Sequence, residues 1–177
     1  TSDLATARAS LDEADQPFLD TFAAGSYFND DQTITGVPAS LAQLYTVHRY
    51  STDATKVLQY VLNPSAAGNY EVTLHFAEIF EVQAGRRVFD IVVNGVDVAT
   101  NFDAFVRGGN MGFAASSVST TLYLEPGSTN ITITLRPKMK RPFVSGIEAI
   151  QLTGVTTTTP VVSLRRSALC KSPTGVA

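Results

Sequence analysis

Cysteine is all but missing from this chain of 177 residues, and the single one, Cys170, excludes an internal disulfide and leaves a free thiol or a bond to another chain. Histidine is nearly as scarce, with only His48 and His75. No H-E-x-x-H, C-x-x-C, phosphate-loop or dinucleotide phrase occurs, so no metal and no cofactor is implied. Charge is sparse too: charged residues make up 16% against 44% hydrophobic, and mean hydropathy is +0.09. That balance excludes a disordered tail and fits one compact domain. The net charge of −3 and pI near 5.3 provide no basic field for nucleic acid or an anionic membrane. No apolar run approaches the roughly 20 residues that span a bilayer, which excludes direct membrane insertion. The chain opens TSDLATARASLDEAD, without an initiator Met or an apolar leader core, as expected of a processed chain or an excerpt.

What is present concentrates between Asn69 and Asp103. Tyr70, Val72, Leu74 and Phe76 alternate with Glu71, Thr73 and His75, the period of a strand with one buried face. Continued, the alternation carries Glu78 inward, where a carboxylate needs a partner. Arg86, Arg87 and Arg49 are the candidates, so a structural ion pair of Glu78 with Arg87 or Arg49 is expected. Val88–Val93 is a second strand, with Phe89, Ile91 and Val93 on one face and Val88, Asp90 and Val92 on the other. Asn94-Gly95 supplies a type I′ turn, and Val96 to Ala99 returns antiparallel.

These phrases carry a resemblance. HFAEIF, then GRRVFDIVVNG and NFD, are similar to the core signature of the malectin and malectin-like domains. Leu44–Tyr50, LYTVHRY, resembles that family's L-Y-Q-T-E-R-Y, and Ala14-Asp15 with Phe18 resembles its A-D-x-x-F. The resemblance runs from about Ala14 to Leu152. It implies an all-β, antiparallel jelly-roll-like sandwich of galactose-binding-like type and, for many members, recognition of glucose-containing glycans by loops at one end. Family members usually open with a Gly-rich strand phrase, which this chain lacks.

Organisation follows in order. Residues 1–13 form a weakly helical N-terminal segment, 14–154 the sandwich, and 155–177 a Thr/Pro linker and tail. Phe18 to Ala42 reads as long loops with short strands, and Tyr27, Phe28, Asn29, Asp30 and Asp31 are of interest because loops on a rigid scaffold carry ligand contacts. Leu44–Tyr50 and Lys56–Leu62 read as strands, Asn101 to Ser117 as Gly-rich and irregular, and Val118–Leu124, Asn130–Leu135 and Gly146–Leu152 as further strands. Asn130-Ile131-Thr132 is a glycosylation sequon within an expected strand, which tilts the localisation toward secreted or cell surface.

Transferred residue by residue, the resemblance implies a carbohydrate site of Tyr27, Tyr50, Phe80, Glu81 and Lys140. Tyr27 and Tyr50 keep the family's rings; Phe80 keeps a ring without its hydroxyl. Glu81 puts a carboxylate where the family has a second ring, and Lys140 reverses an acidic contact. The stretch from Arg136 to Pro142 reads as a loop with four cations, Arg136, Lys138, Lys140 and Arg141. It is either a solvated surface or a rim for an anionic polysaccharide or acidic protein face. Catalysis is not expected: no nucleophile elbow occurs, and Glu78, Glu81, Asp90 and Asp103 do not assemble an acid pair on one face. Two readings stand, a non-catalytic glycan-binding module of a larger extracellular protein, or a structural module that packs against neighbouring protein domains.

Overall fold

A computed structural model describes residues 24–28, 33–51, 53–128 and 130–152, the first of these runs by its backbone alone. The expectations for 1–13, for the Tyr27 ring, for Asn29–Asp31 and for 155–177 with Cys170 lie outside the described residues.

Among the described residues the strands are β1 (Ala24–Phe28), β2 (Val47–Ser51), β3 (Leu58–Leu62), β4 (Gly68–Ala77), β5 (Val88–Val93), β6 (Val96–Phe102), β7 (Ala115–Leu124), β8 (Ile131–Met139), β9 (Phe143–Val144) and β10 (Gly146–Gln151). All their pairings are antiparallel, in the orders β1-β2-β9, β10-β4-β7 and β3-β8-β5-β6. β9 and β10 follow one another across Ser145, whose N–H donates to the His75 carbonyl at 2.8 Å. The first two sheets therefore run on as one layer, and the four-stranded sheet faces it across the core. The fold is the expected jelly-roll-like β-sandwich.

Alternation in β4 builds one wall of that core, since Tyr70, Val72, Leu74 and Phe76 are all buried. Phe89, Ile91 and Val93 answer from β5, and Ile131, Ile133 and Leu135 from β8. At the centre the Phe76 ring meets those of Phe89, Phe102 and Phe143, with centroids 5.9, 4.5 and 5.8 Å away. The Asn94-Gly95 turn forms as expected, with φ of 46° and 80°.

Several expected boundaries are corrected. Leu44 and Tyr45 are not strand: a helical turn, Ala39–Ala42, runs into a 3-10 turn, Gln43–Tyr45, before β2 begins. Their apolar side chains close over the outer face of β4, where the Tyr45 hydroxyl lies 2.9 Å from His75 Nδ1. Leu44 covers Gly146, where a Cβ would come within 2.7 Å of Leu44 Cδ1. The stretch read as irregular holds the end of β6, a helical turn Ala104–Arg107 capped by Asp103, and the start of β7. Asn130 is not in a strand but exposed just before β8. The loop assigned to Arg136–Pro142 is strand as far as Met139. Pro137 is accommodated there because the β5–β8 register shifts between Val88 and Phe89.

Candidate functional site

The site grows from the loop that leaves β4. Glu78 lies just past the strand end and is 1% exposed. Its Oε1 accepts from the backbone N–H groups of Phe80 and Glu81 at 3.0 and 3.1 Å. Its Oε2 lies 3.3 Å from Arg87 Nε, and since that nitrogen finds no well-aligned acceptor, the contact is a Coulombic pair rather than a directed hydrogen bond. Burial raises the Glu78 pKa above the usual carboxylate range, against the pull of Arg87 and the two amides, with Glu81 adding a smaller upward push. Arg49, the other partner considered, stands in β2 opposite Ser26 and Val144.

Arg87 is sandwiched between rings. Its guanidinium carbon lies 5.6 Å from the Phe80 centroid and 4.9 Å from that of Phe143. His48 stacks on Phe143 at 4.3 Å and meets Phe80 edge-on at 6.3 Å. Its pKa is pushed down to about 3, first by burial and then by the Arg87 charge, with the Ala77 backbone pulling the other way. The His48 ring is therefore neutral at physiological pH, a packed aromatic face rather than a proton carrier. This backing leaves Phe80 itself 44% exposed.

Around that ring the sequence-derived residues converge unevenly. Lys140, in a left-handed conformation at φ 58°, pairs with Glu81 through Oε1, and Arg87 is 3.9 Å from the same oxygen. Arg141 extends its guanidinium to 5.9 Å from the half-buried Tyr50 ring. Tyr27 stands in β1 with its backbone opposite His48. Phe80, Glu81 and Lys140 are thus in one cluster, with Tyr50 linked to it through the Lys140–Pro142 turn. Three of the four cations are paired, Arg141 being the one over Tyr50. Arg136 lies 3.4 Å from Asp97 and Lys138 2.9 Å from Asp90. With Lys140 on Glu81, they make a ladder of ion pairs on the outside of the sandwich.

Sequence reasoning missed Phe143 and His48, the two rings that fix Arg87 and Phe80. The only signal was the alternation of His48 with Tyr50 along β2, and Phe143 stands in a two-residue strand too short to show a period. His75 is engaged elsewhere, between Tyr45 and Glu148, the latter at 3.8 Å. Burial lowers its pKa, with Glu148 opposing. Among the described residues no group of three or more His, Cys, Asp or Glu could hold a metal, and no helix is long and apolar enough to cross a membrane.

These features define an antiparallel jelly-roll-type sandwich whose densest aromatic and charged constellation sits on the loops at one end. Within that class the chain belongs to the Malectin domain family, whose model matches residues 6–147. Receptor-like protein 4 of Arabidopsis thaliana is 34% identical over 112 residues, 62% of this chain and 17% of that protein. Malectin-B of Xenopus laevis is 37% identical over 67 residues, 38% of this chain and 23% of that protein. Among solved structures, the ANXUR2 extracellular domain from Arabidopsis thaliana matches with a TM-score of 0.64 at 16% identity, covering 72% of this chain and 38% of that one. A complex of the plant peptide RALF23 with FER and LLG2 matches at a TM-score of 0.61 and 17% identity, over 71% of this chain and 38% of that one. At such identities the structural likeness speaks to the fold alone. The chain spans less than a quarter of the length of either curated relative.

Proposed function

We propose that this chain is a non-catalytic, malectin-like carbohydrate-binding module of a secreted or cell-surface protein, with its sugar site at Phe80, Tyr50 and Tyr27. The observation that carries this reading is the Phe80 side chain, 44% exposed and backed by the Arg87 guanidinium and the His48 ring. A fixed, exposed aromatic face is what stacking on a sugar ring requires. Glu81 and Lys140 beside it offer an acceptor and a donor to hydroxyls. Because they neutralise one another and Arg136 and Lys138 are paired with Asp97 and Asp90, leaving only Arg141, held over Tyr50, the favoured glycan is neutral rather than sulfated or uronic. Exposed Asn130 is the residue a glycan would modify in an extracellular setting. The curated relative named Receptor-like protein 4 supports that setting.

A second reading, a protein-contact module, draws on Glu81 and Lys140 satisfying each other where the family has a ring and an acid. A glycan array on the chain, repeated with Phe80→Ala, Tyr50→Ala and Tyr27→Ala, separates the two. Sugar binding predicts a neutral glucan-type ligand, weakened at least about tenfold, ~1.4 kcal/mol, by Phe80→Ala and little altered by salt. Absence of any bound glycan, or indifference to all three substitutions, leaves the protein-contact reading.

A further inference from the structure

Among the described residues, β7 stands at the edge of its sheet, where edges are ordinarily protected. Its sequence, ASSVSTTLYL, holds no charge and no proline, and its ladder with β4 runs from Gly68↔Leu124 to Ala77↔Ala115 without a register shift. A flat, uncharged edge of this length is the kind that folded proteins blunt with lysine, proline or bulges. The neighbouring edge, β6, is blunted in that way. Its register with β5 shifts twice, Asn101 sits at φ 53°, and Asp97 carries the charge of Arg136 beside it.

The direction of the unpaired groups on β7 follows from its first residue. Ala115 N–H donates to Thr35 O at 2.9 Å, away from β4, so strand alternation turns the N–H and C=O of Ser117, Ser119, Thr121 and Tyr123 outward as well. The carbonyl of His75, opposite Ser117, is correspondingly taken from the far side by Ser145. Beyond the Thr35 contact nothing among the described residues pairs with this edge. Beside it, between β7 and β6, lies an open groove of about 650 Å³ whose lining includes Val98, Phe102, Val106 and Val118. That is within the usual range of ligand sites, roughly 300–1,000 Å³. Asp103, at one end, already accepts from the backbone N–H groups of Gly85, Phe105 and Val106. Arg107, which also lines the groove, is exposed and has no carboxylate partner among the described residues.

We propose that β7 and this groove form an acceptor for an extended segment of a partner polypeptide. That segment adds as a strand, sets alternate apolar side chains on Val98 and Val118, and presents an acidic side chain to Arg107. Main-chain pairing provides the affinity of such strand addition and the alternating pockets its selectivity; the unneutralised guanidinium favours a carboxylate. The site is separate from Phe80 and independent of the glycan reading.

The test is amide hydrogen exchange followed by NMR on the full chain, with a capped heptapeptide of alternating threonine and valine bearing one central aspartate, and its lysine counterpart. In the free chain the Ser117, Ser119 and Thr121 amides should exchange freely while those of Val118 and Thr120, turned to β4, are protected. The aspartate peptide should slow the outward amides at least about tenfold. Ser117→Pro, which removes an outward N–H and no ladder bond, should abolish this while the Val118 and Thr120 amides stay protected. Arg107→Glu should shift preference to the lysine peptide about tenfold, and it decides alone if the proline variant does not fold. Outward amides already protected in the free monomer would assign the edge to the chain's own segments. Their protection only in a concentration-dependent dimer, measured by sedimentation, would assign it to a second copy. Either result overturns the proposal, as does a peptide that fails to bind or ignores either substitution.

Discussion

Glu78 and Arg87 show how one buried pair organises a loop. The carboxylate fixes the amides of Phe80 and Glu81, and the guanidinium props the Phe80 ring, so one interaction positions both candidate ligand contacts. Removing a single member leaves the other's charge buried, a loss of about 3–5 kcal/mol. For Arg87→Met the loss should depend on pH. Burial already raises the Glu78 pKa above its ordinary 4.5, and Arg87 is the foremost of the opposing pulls, so its removal raises that pKa further. Below 4.5 the carboxyl is neutral in folded and unfolded chains alike. As pH climbs through the raised folded value, the unfolded chain ionises first and folding stability falls. Urea unfolding should therefore find Arg87→Met destabilised by about 3–5 kcal/mol at pH 7 and by distinctly less at pH 4. A deficit equal at both would mean that Glu78 is neutral throughout and that only packing was lost.

At the level of the element, the β5–β6 hairpin and the end of β8 behave differently toward sequence reading. The hairpin was legible because Asn94 and Gly95 both take positive φ and few residue pairs tolerate that conformation. A Cβ on Gly95 meets no atom within 4 Å, so Gly95→Val isolates backbone strain, expected at roughly 1–2 kcal/mol in thermal or chemical unfolding. A neutral result would show that the turn relaxes to another type. The end of β8 was not legible. Arg136, Lys138 and Lys140 look like a solvated basic loop until Asp97, Asp90 and Glu81 arrive from other parts of the chain to pair with them. Exposed pairs of this kind contribute about 0–1 kcal/mol each, enough to order side chains but too little to announce a strand.

For the molecule as a whole, the centre of gravity is the ring cluster of Phe76, Phe89, Phe102 and Phe143, which ties β4 and β9 of one layer to β5 and β6 of the other. Phe76→Ala opens a cavity shared by both layers and should cost about 3–5 kcal/mol, a large part of the roughly 5–15 kcal/mol typical of a domain. Unfolding should remain a single transition. If tryptophan-free fluorescence and circular dichroism reported separate transitions instead, the two layers would not share one core.

By itself the sequence determined the family, the strands whose inner faces alternate, the hairpin turn and the inward course of Glu78, because each of these is written in neighbours a few residues apart. Only the tertiary structure decided that Arg87 meets that carboxylate, that Phe143 and His48 brace the site, that three of the four cations of the basic stretch are paired and that β7 stands at a sheet edge among the described residues. Those outcomes depend on which distant strands lie side by side, and chain period carries no information about partners brought together by folding.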